Sequence, residues 1–162
     1  MPLTKIVAVD LSYRDTGVCV LSNDGEVTIR DAFSIQNPPM EPGFDGLKSM
    51  TKRMGATVNE IRSTALHHNA NVIVVEMPCF SQSAKAAIAI GICWGAIQKL
   101  DCLFVEPEFL KLWSGSKKGD GKSEVKEKVK RFCVLEKNLL ANDNITDAIG
   151  IGLAFCELIN QQ

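Results

Sequence analysis

Apolar residues fall along this chain in two rhythms. The first is the short unbroken run. Lys5–Asp10 reads Lys-Ile-Val-Ala-Val-Asp, and Asn71–Glu76 reads Asn-Val-Ile-Val-Val-Glu. Each is rich in β-branched residues, long enough for one buried strand, and closed by an acid. Thr16–Ser22 and Glu26–Ile35 read as two further strands, joined by the hairpin signal Asn23-Asp24-Gly25. Asp10 to Thr16 is short and polar enough to turn the chain back, so the first three strands form an antiparallel meander. Cys102–Glu106 is a fifth strand.

The second rhythm is helical. From Phe44 to about His68, Leu47, Met50, Met54, Val58, Ile61 and Ala65 recur at steps of three and four, with charged residues on the other face. Ser81 to about Leu100 is a largely apolar helix carrying Ala84, Ala87, Gly91 and Gly95. Glycine inside a helix costs about 1 kcal/mol relative to alanine. Gly91-x-x-x-Gly95 therefore implies close packing, against either the sheet or another subunit. Pro107 to Trp113 can make a short helix, Ser114–Gly121 is a glycine- and lysine-rich loop, and Ser123 to about Leu135 is helical. A final helix runs from near Ile145 to Ile159.

Three antiparallel strands, then helix, strand, helix, strand and helices, is an α/β order. A strand–helix–strand crossover is right-handed and leaves its strands parallel. The simplest arrangement sets the fourth strand beside the first and the fifth beyond it. That is a mixed five-stranded sheet, three strands antiparallel and two parallel, with helices on both faces: the ribonuclease-H-like layout. It brings Asp10 and Glu76 to one sheet edge on strands about 4.7–4.9 Å apart. Carboxylates that close repel, which calls for a raised pKa or a bound cation.

Composition narrows the picture. One domain spans residues 1–162 and is large enough for a sizeable core. No apolar run approaches the ~20 residues of a membrane-spanning helix, and no signal-peptide pattern is seen. Six cysteines without a C-x-x-C pair, and only two histidines, argue against zinc and for free thiols in a reducing compartment. Net charge is −1, yet Ser114 to Arg131 holds seven basic residues against three acids. Lys117, Lys118, Lys122 and Lys126 belong to this patch, which suits phosphate or a solvated helix face.

Asp147 supplies a third carboxylate. Helical steps from it reach Ile151, Ala154 and Leu158, so it extends a core-facing stripe, where an acid is costly unless paired or bound to metal. Asp143 lies one turn earlier. It and Asn144 suit either ligation or capping. Carboxylates without a His or Cys cluster make a hard oxygen site, favouring Mg²⁺ or Mn²⁺. Two such ions about 3.5–4 Å apart can activate water and stabilise the leaving oxygen in phosphodiester cleavage.

At this point the residues resemble a family. Val9-Asp10 followed by Thr16-Gly17 resembles the first motif of RuvC-type Holliday-junction resolvases. Glu76, followed by Gly91-x-x-x-Gly95-Ala96, resembles the second motif and its helix. Lys111 sits where the family has a lysine after the fifth strand. Gly121-Lys122-Ser123 resembles its Lys-Ser, and Asp147-Ala-Ile-Gly-Ile-Gly its closing motif. Leu11-Ser12 replaces the family's Pro-Gly, and Asn144 stands where an acid or histidine is usual. These departures resemble bacteriophage-encoded members.

The resemblance implies a Mg²⁺-dependent endonuclease that resolves four-way DNA junctions, cuts other branched DNA, and works as a homodimer. Asp10, Glu76, Asp147 and Asp143 would hold two ions. Lys122 would stabilise phosphoryl charge, with Lys111 a weaker candidate. Lys111, Lys117, Lys118 and Lys126 would contact flanking phosphates, and Phe80 would stack on an opened base. The expected location is cytoplasmic, in a host cell if the protein is phage-encoded. The alternative is another ribonuclease-H-like nuclease, acting on flaps or RNA–DNA hybrids. A sugar-kinase or actin-type domain needs two such units and more chain. A non-catalytic DNA-binding relic would gain only repulsion from its acids.

Overall fold

The computed structural model describes residues 3–39, 41–76, 84–115, 121–132 and 142–161. Strands β1 (Thr4–Asp10), β2 (Asp15–Asn23) and β3 (Val27–Gln36) form the expected meander. The turn between β2 and β3 is held by its own side chain, with Gly25 N–H donating to Asn23 Oδ1 at 3.1 Å. Helix α1 (Gly43–His67) leads to β4 (Val72–Glu76), α2 (Ala84–Ile97) and β5 (Leu103–Val105), followed by helices α3 (Pro107–Ser114), α4 (Gly121–Phe132) and α5 (Asp143–Asn160). The sheet order is β3-β2-β1-β4-β5, with β4 parallel to both β1 and β5. The mixed five-stranded sheet with helices is as expected.

Boundaries moved in three informative places. The fifth strand is shorter than its apolar run, only three residues. The lysine-rich stretch is partly helical: α3 runs to Ser114, closes on left-handed Gly115, and α4 already begins at Gly121. Residues 116–120 of that stretch lie outside the described residues. The last helix starts at Asp143, not near Ile145, because Asn142 caps it.

Alternation along the strands sorts the core into two halves. Val7, Val9, Val18, Val20 and Val75 pack with Met50, Met54, Val58 and Ile61 of α1 and with Cys93, Ala96 and Ile97 of α2. Ile6, Ala8, Cys19, Leu21 and Val74 pack with Leu110 of α3, Val125 and Val129 of α4, and Ile145 to Cys156 of α5. Burying one such side chain contributes about 1.5–3 kcal/mol. Both faces of β1 are therefore strongly held, which explains its unbroken apolar run.

Helix α5 lies tightly on the sheet. A methyl at Gly152 would sit 2.2 Å from Leu21 Cδ1 and 3.2 Å from Ala8 Cβ. A methyl at Gly17 would sit 2.0 Å from the carbonyl oxygen of Asn144, so the backbones of β2 and α5 touch there. Ile151 and Ala154 are buried as the stripe requires, whereas Leu158 is exposed.

Candidate active site

Asp10 closes β1 and Glu76 closes β4; both are half-buried. The parallel register runs from Ile6 beside Val72 to Val9 beside Val75. One residue further, the same register sets Asp10 beside Glu76. Their faces agree as well. Ile6, Ala8 and Val74 belong to the core half under α5, and side chains of alternate residues share a face. Asp10 and Glu76 therefore stand on the α5 side of the sheet.

Asp147 comes to the same corner from the helix. It is half-buried between buried Thr146 and Ala148. One end of its turn rests on Gly17, which is the β2 partner of Asp10. Asp10 and Glu76 thus share one sheet edge and one face, and the turn of α5 that leads to Asp147 packs beside them. Asp10, Glu76 and Asp147 each have an interaction partner of their own. Among the described residues, no group of three or more His, Cys, Asp or Glu side chains is drawn together into a metal-holding set. The donor chemistry at this corner is all carboxylate oxygen, which fits a hard divalent cation rather than zinc.

Asp143 behaves differently. Its carboxylate is 62% exposed and lies 3.3 Å from the Lys126 ammonium. A candidate ligand and a candidate phosphate contact are thus each other's partner. Neither Asp143 nor Asn144 caps the helix. Asn142 does, its Oδ1 accepting from Asn144 N–H at 2.9 Å and Ile145 N–H at 3.3 Å. Three consecutive Asx residues all have capping propensity, so sequence alone did not single out the first.

Asn142 makes a second connection that the sequence did not suggest. Its Nδ2 donates to Asp15 Oδ2 at 3.2 Å and, at 3.4 Å, to Ser34 Oγ. The start of α5 is thereby tied to β2 and β3.

Helix α4 lies over α5, with Val125 and Val129 facing Gly150. Lys122 is the second residue of α4, one turn ahead of Lys126; its side chain lies outside the described residues, as do Phe80, Lys117 and Lys118. Lys111 is exposed on α3 and has an interaction partner. Beyond Lys126, α4 is clamped by Lys128. Its ammonium donates to the Trp113 carbonyl at 2.5 Å, lies 3.8 Å from Glu157, and sits 4.2 Å from the centre of the Trp113 ring.

On α2, only Cys93, Ala96 and Ile97 are buried. Among the described residues, nothing lies within 4 Å of a methyl at Gly91 or Gly95, and Ile88 is exposed. The sheet is therefore not what the glycine face packs against.

No protein-family model matches the chain, and no curated protein does. Solved structures do match. T. thermophilus RuvC in complex with Holliday junction substrate superposes with a TM-score of 0.74 at 17% identity, over 98% of this chain and 96% of that one. The yeast mitochondrial Holliday junction resolvase gives a TM-score of 0.60 at 13% identity, over 98% of this chain and 81% of that one. Fowlpox virus resolvase with substrate Holliday junction DNA gives 0.56 at 14% identity, over 96% of this chain and 99% of that one.

The chain has a RuvC-like fold. The match runs nearly end to end, so the RuvC-like layout includes α3 to α5 and not just the common sheet. No helix among the described residues is long and apolar enough to cross a membrane.

Proposed function

We propose that this protein is a divalent-metal-dependent, structure-selective endonuclease that resolves Holliday junctions by paired phosphodiester cleavage and accepts other branched DNA. One observation carries the reading. Asp10 and Glu76 fall side by side on the α5 face of the sheet, and the α5 turn leading to Asp147 rests on Gly17, the β2 partner of Asp10, in a fold held in common with resolvases solved on junction DNA.

Asp10, Glu76 and Asp147 are the residues that would hold Mg²⁺ or Mn²⁺, hard cations that take carboxylate oxygens. When bound, a pair of such ions supplies Lewis acidity to the attacking water and the leaving oxygen. Asp143 is assigned a lesser role, because its carboxylate already has Lys126. Lys122, in the first turn of α4, is assigned to the negative charge on the phosphoryl oxygens. Lys111, Lys117, Lys118 and Lys126 bind flanking phosphates, so affinity falls steeply with salt. Phe80, immediately past β4, stacks on a base unpaired at the branch point.

A four-way junction is close to two-fold symmetric, and its resolution needs two nicks. A C2 homodimer fits, and the small-residue face of α2 is its interface. We assign the protein to a bacteriophage-encoded branch of the RuvC-type resolvases, acting in the host cytoplasm.

Cleavage of a junction, a flap, a linear duplex and an RNA–DNA hybrid, compared side by side in Mg²⁺, tests the substrate. Preference for the junction with paired symmetric nicks is expected. Preference for the flap or hybrid transfers the same site to the alternative nuclease reading.

A further inference from the structure

We infer that Asn142 and Asp15 are positioning residues: their hydrogen bond sets where the first turn of α5, and with it Asp147, stands relative to Asp10. The inference rests on the metal-site reading above and adds two residues that touch neither metal nor substrate in that reading.

Asn142 does two jobs with one side chain. Its Oδ1 accepts from Asn144 and Ile145 N–H, and its carbonyl accepts from Thr146 N–H at 3.0 Å and Thr146 Oγ1 at 3.1 Å. Those bonds fix Asn142 to the helix. Its Nδ2 then donates to Asp15 Oδ2 at 3.2 Å. Asp15 is itself fixed to the β1–β2 turn: its N–H donates to Ser12 Oγ at 3.1 Å, and its carbonyl accepts from Ser12 Oγ at 2.9 Å.

The turn holding Asp15 is the one that links Asp10 to the start of β2. Asp10 is thus at one end of a short covalent path to Asp15, and Asp147 is one helical turn beyond the residues Asn142 caps. Between the two, Gly17 and Asn144 are in backbone contact. That contact stops α5 from moving closer to β2. The Asp15–Asn142 bond stops it from moving away. A stop on one side and a tether on the other define a position.

A cap alone does not explain Asp15. Serine, aspartate or asparagine at position 142 would each cap the helix. Aspartate has no proton to donate to a second carboxylate, and the serine hydroxyl is too short to cap the helix and reach Asp15 as well, so the amide alone does both. Asp15 Oδ1, moreover, is buried without a hydrogen-bond partner among the described residues. A carboxylate kept in that setting is costly, and the tether to Asn142 is its other oxygen's use.

Exchanging the two residues tests this. Asn142→Asp places two carboxylates face to face while keeping a good cap. Adding Asp15→Asn restores the bond with its direction reversed. Mn²⁺ alone is titrated calorimetrically against wild type, Asn142→Asp, and the exchanged pair, with circular dichroism at the same temperature to show each is folded. The expected result is affinity about tenfold or more weaker in Asn142→Asp, largely recovered in the exchanged pair. Asn142→Ser, which caps but cannot reach Asp15, serves as the second variant should Asn142→Asp fail to fold, and is expected to bind Mn²⁺ weakly too.

Wild-type affinity in a folded Asn142→Asp or Asn142→Ser protein overturns the positioning role and leaves the metal reading standing. An exchanged pair no better than Asn142→Asp also overturns it. Absence of Mn²⁺ binding by wild type removes the metal reading and this inference together.

Discussion

The ammonium of Lys126 lies 3.3 Å from the carboxylate of Asp143, joining α4 to the first turn of α5. Both groups are solvent-accessible, and exposed ion pairs contribute about 0–1 kcal/mol. The pair therefore does little for stability. Its interest is that it ties up the acid that the helical spacing had placed beside Asp147.

Asp143→Ala should lower the melting temperature only slightly and reduce junction cleavage less than about tenfold, well short of the loss in Asp10→Asn. Single-turnover cleavage of a junction by the two variants checks the ranking. A loss in Asp143→Ala as deep as in Asp10→Asn would restore Asp143 to the set of essential acids.

Lys126→Ala should weaken junction binding and lower the slope of log affinity against log salt by about one. Fluorescence anisotropy across a salt series reads both. An unchanged slope would show that Lys126 serves Asp143 and not a phosphate.

Gly17→Ala should be destructive beyond its size. The added methyl would lie 2.0 Å from the Asn144 carbonyl oxygen, a backbone atom that no side-chain rotation can move aside. The helix must move, at a cost of about 1–3 kcal/mol, and a shift of about 1 Å near reacting groups lowers rate by about a hundredfold. Thermal melting and cleavage rates of the folded variant are the measurements, with the rate expected to suffer more.

Gly91 and Gly95 should respond with opposite signs in the chain and in the assembly. Among the described residues, nothing lies within 4 Å of a methyl at either position. Alanine there should stabilise the isolated chain by up to about 1 kcal/mol through helix propensity. Gly95→Leu should block close helix–helix approach and shift the protein toward monomer in analytical ultracentrifugation. A wild-type protein that sediments as a monomer at micromolar concentration, with junction DNA present, would remove the dimer from the proposal.

Alkaline pH should erode stability in a defined window. Burial pushes the thiols of Cys93 and Cys156 from the ordinary 9.0 up to about 11. The folded state thus prefers the neutral thiol. Its contribution is complete below pH 9.0 and is lost as pH rises through about 11. Melting temperature should fall over that interval, and less steeply in Cys93→Ala/Cys156→Ala.

The sheet was legible because its rules are local. Ile6 to Val9 and Val72 to Val75 are unbroken apolar runs, and a right-handed crossover leaves few ways to arrange them. The acid at each strand end followed from counting residues. Helix starts were harder. Asn142, Asp143 and Asn144 compete for one cap, and what selects Asn142 is a pair of partners, Asp15 and Ser34, more than a hundred residues away. The glycine face of α2 was visible as a pattern, but its lack of a neighbour among the described residues required coordinates. Phe80, Lys117 and Lys118, and the side chain of Lys122, lie outside the described residues.

The most direct test of the central claim is Mg²⁺-dependent cleavage of a four-way junction by wild type and Asp10→Asn, with junction binding measured in parallel. Wild type should nick paired strands, while Asp10→Asn should bind the junction yet cleave it at least about a hundredfold more slowly. Cleavage by Asp10→Asn at the wild-type rate would contradict the account.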